Sequence, residues 1–154
     1  MILSHLFPKS GIDVNISVLE YTGKWSLLAF ATNAVSAAFA ESGIDVVDLV
    51  SASSFAITDE GLLIDPTGEE EERATAGGVV GYMASTKEIT DAWISGSLEI
   101  DEDGDMDVDS GHARLGQTLR SVISAAADAR LVVNHALMEL VKEKGLAVDG
   151  IKSG

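Results

Sequence analysis

No cysteine occurs in the 154 residues. Disulfides, thiolate nucleophiles and the sulfur-rich kind of zinc site are therefore excluded, and the compartment is left open. Cations are scarce as well. Ten Lys and Arg, six of them lysine, stand against twenty-five Asp and Glu, for a formal net charge of −15. A field of that sign repels phosphate backbones and anionic lipid, so neither nucleic acid nor a membrane surface is expected as a partner. The acidity fits a basic partner or a salty environment equally well. Long uncharged runs are missing too. Trp25 to Ala40 carries no charge, but it is shorter than the roughly 20 residues of a spanning helix and includes Thr32, Asn33 and Ser36, so it reads as a buried helix of a soluble protein. Met1 to Ser10 holds a histidine, a proline and a lysine instead of the apolar stretch of a secretory signal. A cytoplasmic location, or a place in an assembled particle, is expected.

What is present is apolar. Hydrophobic residues make up 46% of the chain, and the mean hydropathy of +0.22 is high for so charged a protein. A chain of this length forms one core. The acids then lie outside, with apolar surface left over for a partner.

Ile12, Val14, Ile16 and Val18 alternate with Asp13, Asn15 and Ser17, the period of a half-buried strand, which predicts a strand over about 12–21. Leu27, Leu28, Ala31, Ala34, Val35, Ala38 and Phe39 recur at helical spacing between Lys24 and Ser42, with Gly43 placed to end that helix. Val46 to Ile57 reads as a strand, and Thr58-Asp59-Glu60-Gly61 turns it into Leu62-Leu63-Ile64. After Pro66, Thr67-Gly68-Glu69-Glu70 matches a capping box and starts a second helix, carried on through Gly77, Gly78, Gly81 and Ala84. Glycines inside a helix point to close packing by another element. Ile94, Gly96, Leu98 and Ile100 alternate with polar residues, and Asp103-Gly104 signals a second hairpin. From Leu115 one apolar face runs to Gly145. Arg130 interrupts it, so the segment 115–145 is either one helix or two joined near Asp128. The fold class is α+β: a single domain, 1–154, with an antiparallel sheet built from hairpins and flanked by about three helices.

The candidate chemistry is thin. Asp101, Asp103 and Asp105 alternate as calcium-loop ligands do, but Met106 stands where the loop needs glycine and His112 where it needs a bidentate glutamate. They are the one calcium candidate; otherwise no metal, cofactor or catalytic residue is expected. His5, His112 and His135 share no ligand spacing, no serine lies in a G-x-S-x-G setting, and Gly77-Gly78 with Gly81 lacks the lysine of a phosphate loop. The run Glu69 to Glu72 suits a helix start better than paired acid–base catalysis. Trp25 and Trp93, with Gly77, Gly78 and Gly81, are the interface candidates, since Trp is enriched where partners meet.

The order helix, hairpin, helix, hairpin, helix resembles the type III secretion chaperone fold and the related YbjN-like regulators, through Ser95-Gly96-Ser97-Leu98-Glu99-Ile100-Asp101-Glu102-Asp103-Gly104 and the closing helix to Val141. Ala56 to Ile89 is similar to a roadblock-like domain as well. Both resemblances imply a dimerising, non-catalytic binding module. The expected function is a homodimeric chaperone, adaptor or regulator that binds another polypeptide and is not an enzyme. The alternative is a structural subunit of a larger assembly such as a virion or shell, from a high-salt setting.

Overall fold

A computed structural model describes residues 11–97 and 108–143, with side chains from 115 onward in the last segment. Seven elements follow in order: α1 (Lys24–Ser42), β1 (Val50–Thr58), β2 (Gly61–Ile64), α2 (Gly68–Arg73), β3 (Ala76–Met83), β4 (Glu88–Gly96) and α3 (Val108–Glu143). The four strands form one antiparallel sheet in the order β2-β1-β3-β4. The α+β class and the antiparallel sheet flanked by three helices stand as the sequence indicates.

Both faces of β1 are covered, because all of Ser51 to Ala56 is buried. Successive strand residues point to opposite faces. Ala52 and Ala56 therefore meet Trp25 and Ala29 of α1 on one side, together with Val79 of β3. Phe55 meets Val122 of α3 on the other, together with Val80. The sheet is thus the middle layer between α1 and α3, and the core is two thin apolar slabs.

Local signals set several boundaries. Gly43 ends α1 in the left-handed region at φ 71°, where a side chain would be strained. The Thr67 hydroxyl accepts the Glu70 amide while the Glu70 carboxylate accepts the Thr67 amide at 2.7 Å, so the capping box forms. These bonds from the Thr67 amide and hydroxyl hold the Glu70 carboxyl below its ordinary pKa.

Other expectations are corrected. The second helix stops at Arg73, and the glycine-rich stretch expected to prolong it is β3, paired on both sides. Two ladders of backbone hydrogen bonds outweigh any local preference of a Gly-Gly-Val-Val-Gly run. The second hairpin is β3–β4, turning through Ala84–Lys87 with Lys87 at φ 58°, well before the Asp103-Gly104 expected to make it. Those two residues, with 98–107 as a whole, lie outside the described residues. The strand expected over 12–21 joins no sheet: residues 11–22 carry no helix or strand and are exposed throughout. The C-terminal segment is one helix across Arg130, not two.

Candidate functional site

Two polar clusters tie the layers together. Gly23, at the N-cap of α1, offers no side-chain oxygen, and α1 has no acid in its first turn. Its orphan amides are satisfied from α2 instead. Glu71 Oε2 accepts the Lys24 amide at 2.7 Å, and Oε1 accepts the amides of Trp25 and Ser26 at 2.9 and 3.1 Å. Beside it the Ser26 hydroxyl donates to the Pro66 carbonyl at 2.7 Å. The acidic run at 69–72 therefore contains one buried acid among exposed and half-buried ones, and no spacing in the sequence distinguishes it.

Asp48, just before β1, is the second. Its Oδ1 takes the Arg130 guanidinium at 2.7 Å and its Oδ2 the Ser85 amide at 2.9 Å, which joins α3, the β3–β4 turn and the entry to β1. Burial pushes the Asp48 carboxyl up, but the Ser85 amide, Arg130, the Leu49 amide and the Ser85 hydroxyl together outweigh it and leave it below its ordinary value. A carboxyl depressed by folding stabilises above the ordinary carboxylate range and loses that contribution as pH falls through its folded value. Urea unfolding of wild type and Asp48→Asn should then differ by about 1 kcal/mol at pH 7, a partly exposed pair being discounted for screening. The difference should shrink below about pH 4. Arg130, whose place on an apolar helical face was the one anomaly visible in the sequence, has this partner as its reason.

Trp25 lies in the core against Gly77, inside the molecule. Trp93 is 60% exposed on β4, an edge strand exposed along its whole length. Gly77, Gly78 and Gly81 pair with Ser95, Ile94 and Asp91 of that strand. Asp101, Asp103 and Asp105 fall outside the described residues. Among the described residues no group of three or more His, Asp or Glu is placed to hold a metal, and no helix is long and apolar enough to cross a membrane. A groove of about 440 Å³ runs along the flank of α1 beside the entry to β1, lined by Ile16, Leu28, Val35, Phe39, Leu49 and Val50 among others. Its lining residues scatter over three segments, so no single motif announces it. The chemistry on offer is apolar contact and unpaired strand edge.

Comparison with known proteins overturns several expectations. Residues 48–104 match the model of the 3′ exoribonuclease family, domain 2. The chain is 42% identical over 142 residues, 89% of its length, to the exosome complex component mtr3 of Schizosaccharomyces pombe, of which the match covers 50%. It is 33% identical over 132 residues, 84% of its length, to the exosome complex component RRP41-like of Arabidopsis thaliana, again covering 50% of that protein. The crystal structure of rice (Oryza sativa) Rrp46 shares the fold, with a TM-score of 0.57 and 20% identity over 79% of this chain and 51% of that one. The chain thus spans about half the length of the curated relatives it matches.

The secretion-chaperone and roadblock resemblances are accordingly wrong. They rested mainly on element order, and the fold does run helix, hairpin, helix, hairpin, helix; an order alone does not single out a family. The chaperone or adaptor reading, the virion or shell alternative and the halophilic setting have no support among the relatives. The exclusion of nucleic acid fails as well, since the matched family is one of exoribonucleases; net charge describes the average field of one chain and not the substrate of a complex it enters. The family these findings support is that of the RNase PH-like exosome subunits, to which this chain is similar along almost nine-tenths of its length.

Proposed function

We propose that the chain is a subunit portion of an exosome-type complex, which engages RNA as part of the assembly and contributes no catalytic group of its own. The observation that carries this is the 42% identity over 142 residues with the exosome component mtr3. Its non-catalytic character is supported by how the buried and half-buried carboxylates among the described residues are engaged: Glu71 serves α1, Glu70 caps its own helix at Thr67, and Asp48 serves Arg130 and Ser85. The surplus is apolar surface, with Trp93, Leu131, Val132 and Met138 all exposed. Such surface suits subunit contacts. The complex would work where cellular RNA is processed, in cytoplasm or nucleus.

The test is reconstitution with exosome subunits of the same organism, followed by light scattering and by decay of a 5′-labelled single-stranded oligoribonucleotide. The chain alone should leave that RNA intact and bind it weakly at 0.15 M salt, and it should co-elute with the other subunits in a complex that retains the RNA. Failure to co-elute would remove the reading. Trimming of the RNA from its 3′ end by the isolated chain would make it an enzyme instead.

A further inference from the structure

Ser85 is the outer member of a charged cluster that runs inward from the surface. It lies in the turn Ala84–Lys87, where Ser85, Thr86 and Lys87 are exposed, as is Glu88 after them. Its amide donates to Asp48 Oδ2 at 2.9 Å, and its hydroxyl donates to the same carboxylate. Asp48 is the inner member. Its side chain is only 9% exposed, and its Oδ1 accepts Nη2 of Arg130 at 2.7 Å. A surface hydroxyl and the long helix α3 therefore meet at one buried carboxylate.

That meeting leaves a donor unused. Nε of Arg130 is buried and has no acceptor among the described residues. The Nε and Nη2 hydrogens of a guanidinium lie along one edge, a fork that fits two oxygens of a single anion. Asp48 fills only half of the fork, because its other oxygen is turned to the Ser85 amide. A phosphate on Ser85 would supply what is missing: three acceptor oxygens and a charge of about −1.5 to −2 near pH 7. It would stand beside the guanidinium, since Ser85 and Arg130 both touch the same carboxylate. The new charge also repels Asp48, and esterification removes the hydroxyl proton that Ser85 gives to it. Access fits as well. Exposed turn tips are the parts of a fold that other enzymes reach, and Glu88, three positions after Ser85, offers an acidic handle of the kind by which kinases choose substrates.

We infer that Ser85 is a phosphorylation site, and that its phosphate takes the Nε–Nη2 edge of Arg130 away from Asp48. The co-reactant is a nucleoside triphosphate held by a protein serine kinase. Ser85 Oγ bonds to the γ-phosphorus while the bond from that phosphorus to the β,γ-bridging oxygen breaks; the nucleoside diphosphate leaves with the electron pair, and the hydroxyl proton passes to the kinase's base. Helix α3 is then held by the β3–β4 turn and no longer by the entry to β1. That helix presents Leu131, Val132 and Met138 to solvent, so the modification regulates the subunit contacts of the proposed function, and this last step alone rests on that reading.

The test treats the full chain with an acidophilic serine kinase and ATP, maps the site by mass spectrometry and carries Ser85→Ala as the blank. Label is expected on Ser85 and on no residue of the blank's turn. Asp48→Asn should raise the urea unfolding constant about fivefold in the unmodified chain and less than about twofold in the phosphorylated one, where Arg130 has already left it. The Arg130 Nε–H resonance should move downfield on phosphorylation, a readout that needs no variant. Ser85 left unlabelled in the folded chain would overturn the site. Label with the fivefold effect intact, or with the Nε–H signal unmoved, would overturn the exchange of partners. Each of these is read on the isolated chain, so failure to co-elute with exosome subunits bears on the proposed function and not on Ser85.

Discussion

Glu71→Ala is expected to lower the stability of the chain by about 3–5 kcal/mol, because it strands amides that have no other acceptor. Three consecutive N–H groups at the start of α1 converge on this one carboxylate, at 2.7, 2.9 and 3.1 Å, and two of those bonds are buried. An ordinary N-cap replacement costs about 1 kcal/mol because water takes over the freed donor. Water is less able to do so here, where Glu71 is only 8% exposed and Trp25 and Ser26 only 5%. The residue also holds α2 against α1 across 45 or more positions of sequence, so its loss frees two elements. A fall in the thermal midpoint of about 10 °C or more should follow for a domain of this size. Glu71→Gln supplies the control. It keeps the shape and one acceptor oxygen but turns an NH2 towards amide donors, and should fall between wild type and alanine. A midpoint change under about 2 °C for Glu71→Ala would mean that solvent reaches this helix end.

Gly78→Ala should be comparably damaging for a different reason. A Cβ on Gly78 would run into the carbonyl oxygen of Trp93 and lie 3.0 Å from the Ile94 Cα, both of them backbone atoms of the paired strand. A flexible side chain could turn away; a strand backbone cannot move without breaking its ladder. Overpacking of this kind costs about 1–3 kcal/mol even where neighbours can shift. Strand β4 has no helix over it, being exposed along its length, so it should be the element that gives way. The expected signature is a loss of about 3 kcal/mol in urea unfolding together with faster amide exchange in 88–96, while 50–58 stays protected. Gly43→Ala, placed at a positive φ with open space around it, should show a smaller loss of about 1 kcal/mol and no such local signature. Equal exchange in wild type and Gly78→Ala would show that the sheet absorbs the extra methyl by a concerted shift.

These two sites mark where sequence reading succeeds and where it ends. Helix α1 and its glycine stop, the β1–β2 hairpin and the Thr67 capping box were all legible because each depends on residues within a few positions of one another. Strand β3 was not. Its run Ala76-Gly77-Gly78-Val79-Val80-Gly81 has no intrinsic reason to be extended, and becomes a strand because β1 and β4 offer hydrogen bonds on both sides. The turn at Ala84–Lys87 has none of the usual glycine or asparagine, so it gave no signal either. Glu71 looks like its neighbours in the acidic run until the fold points it inward. Arg130 was visible as an anomaly, but its partner Asp48 lies 82 residues away. The groove draws on three separate segments and could not be read from any of them.

By itself the amino-acid sequence determined the class, the acidity, the absence of thiol chemistry, the boundaries of α1 and the capped start of a helix after Pro66. Those are consequences of composition and of contacts made within one or two turns of chain. Only the tertiary structure decided that a glycine-rich stretch is the inner strand of a sheet, that one glutamate of four caps a helix elsewhere, and that the apolar Leu28 and Phe30 of α1 are left exposed. Pairing, capping across elements and burial are all set by groups distant in sequence, and their free energies are comparable to or larger than the local preferences they override.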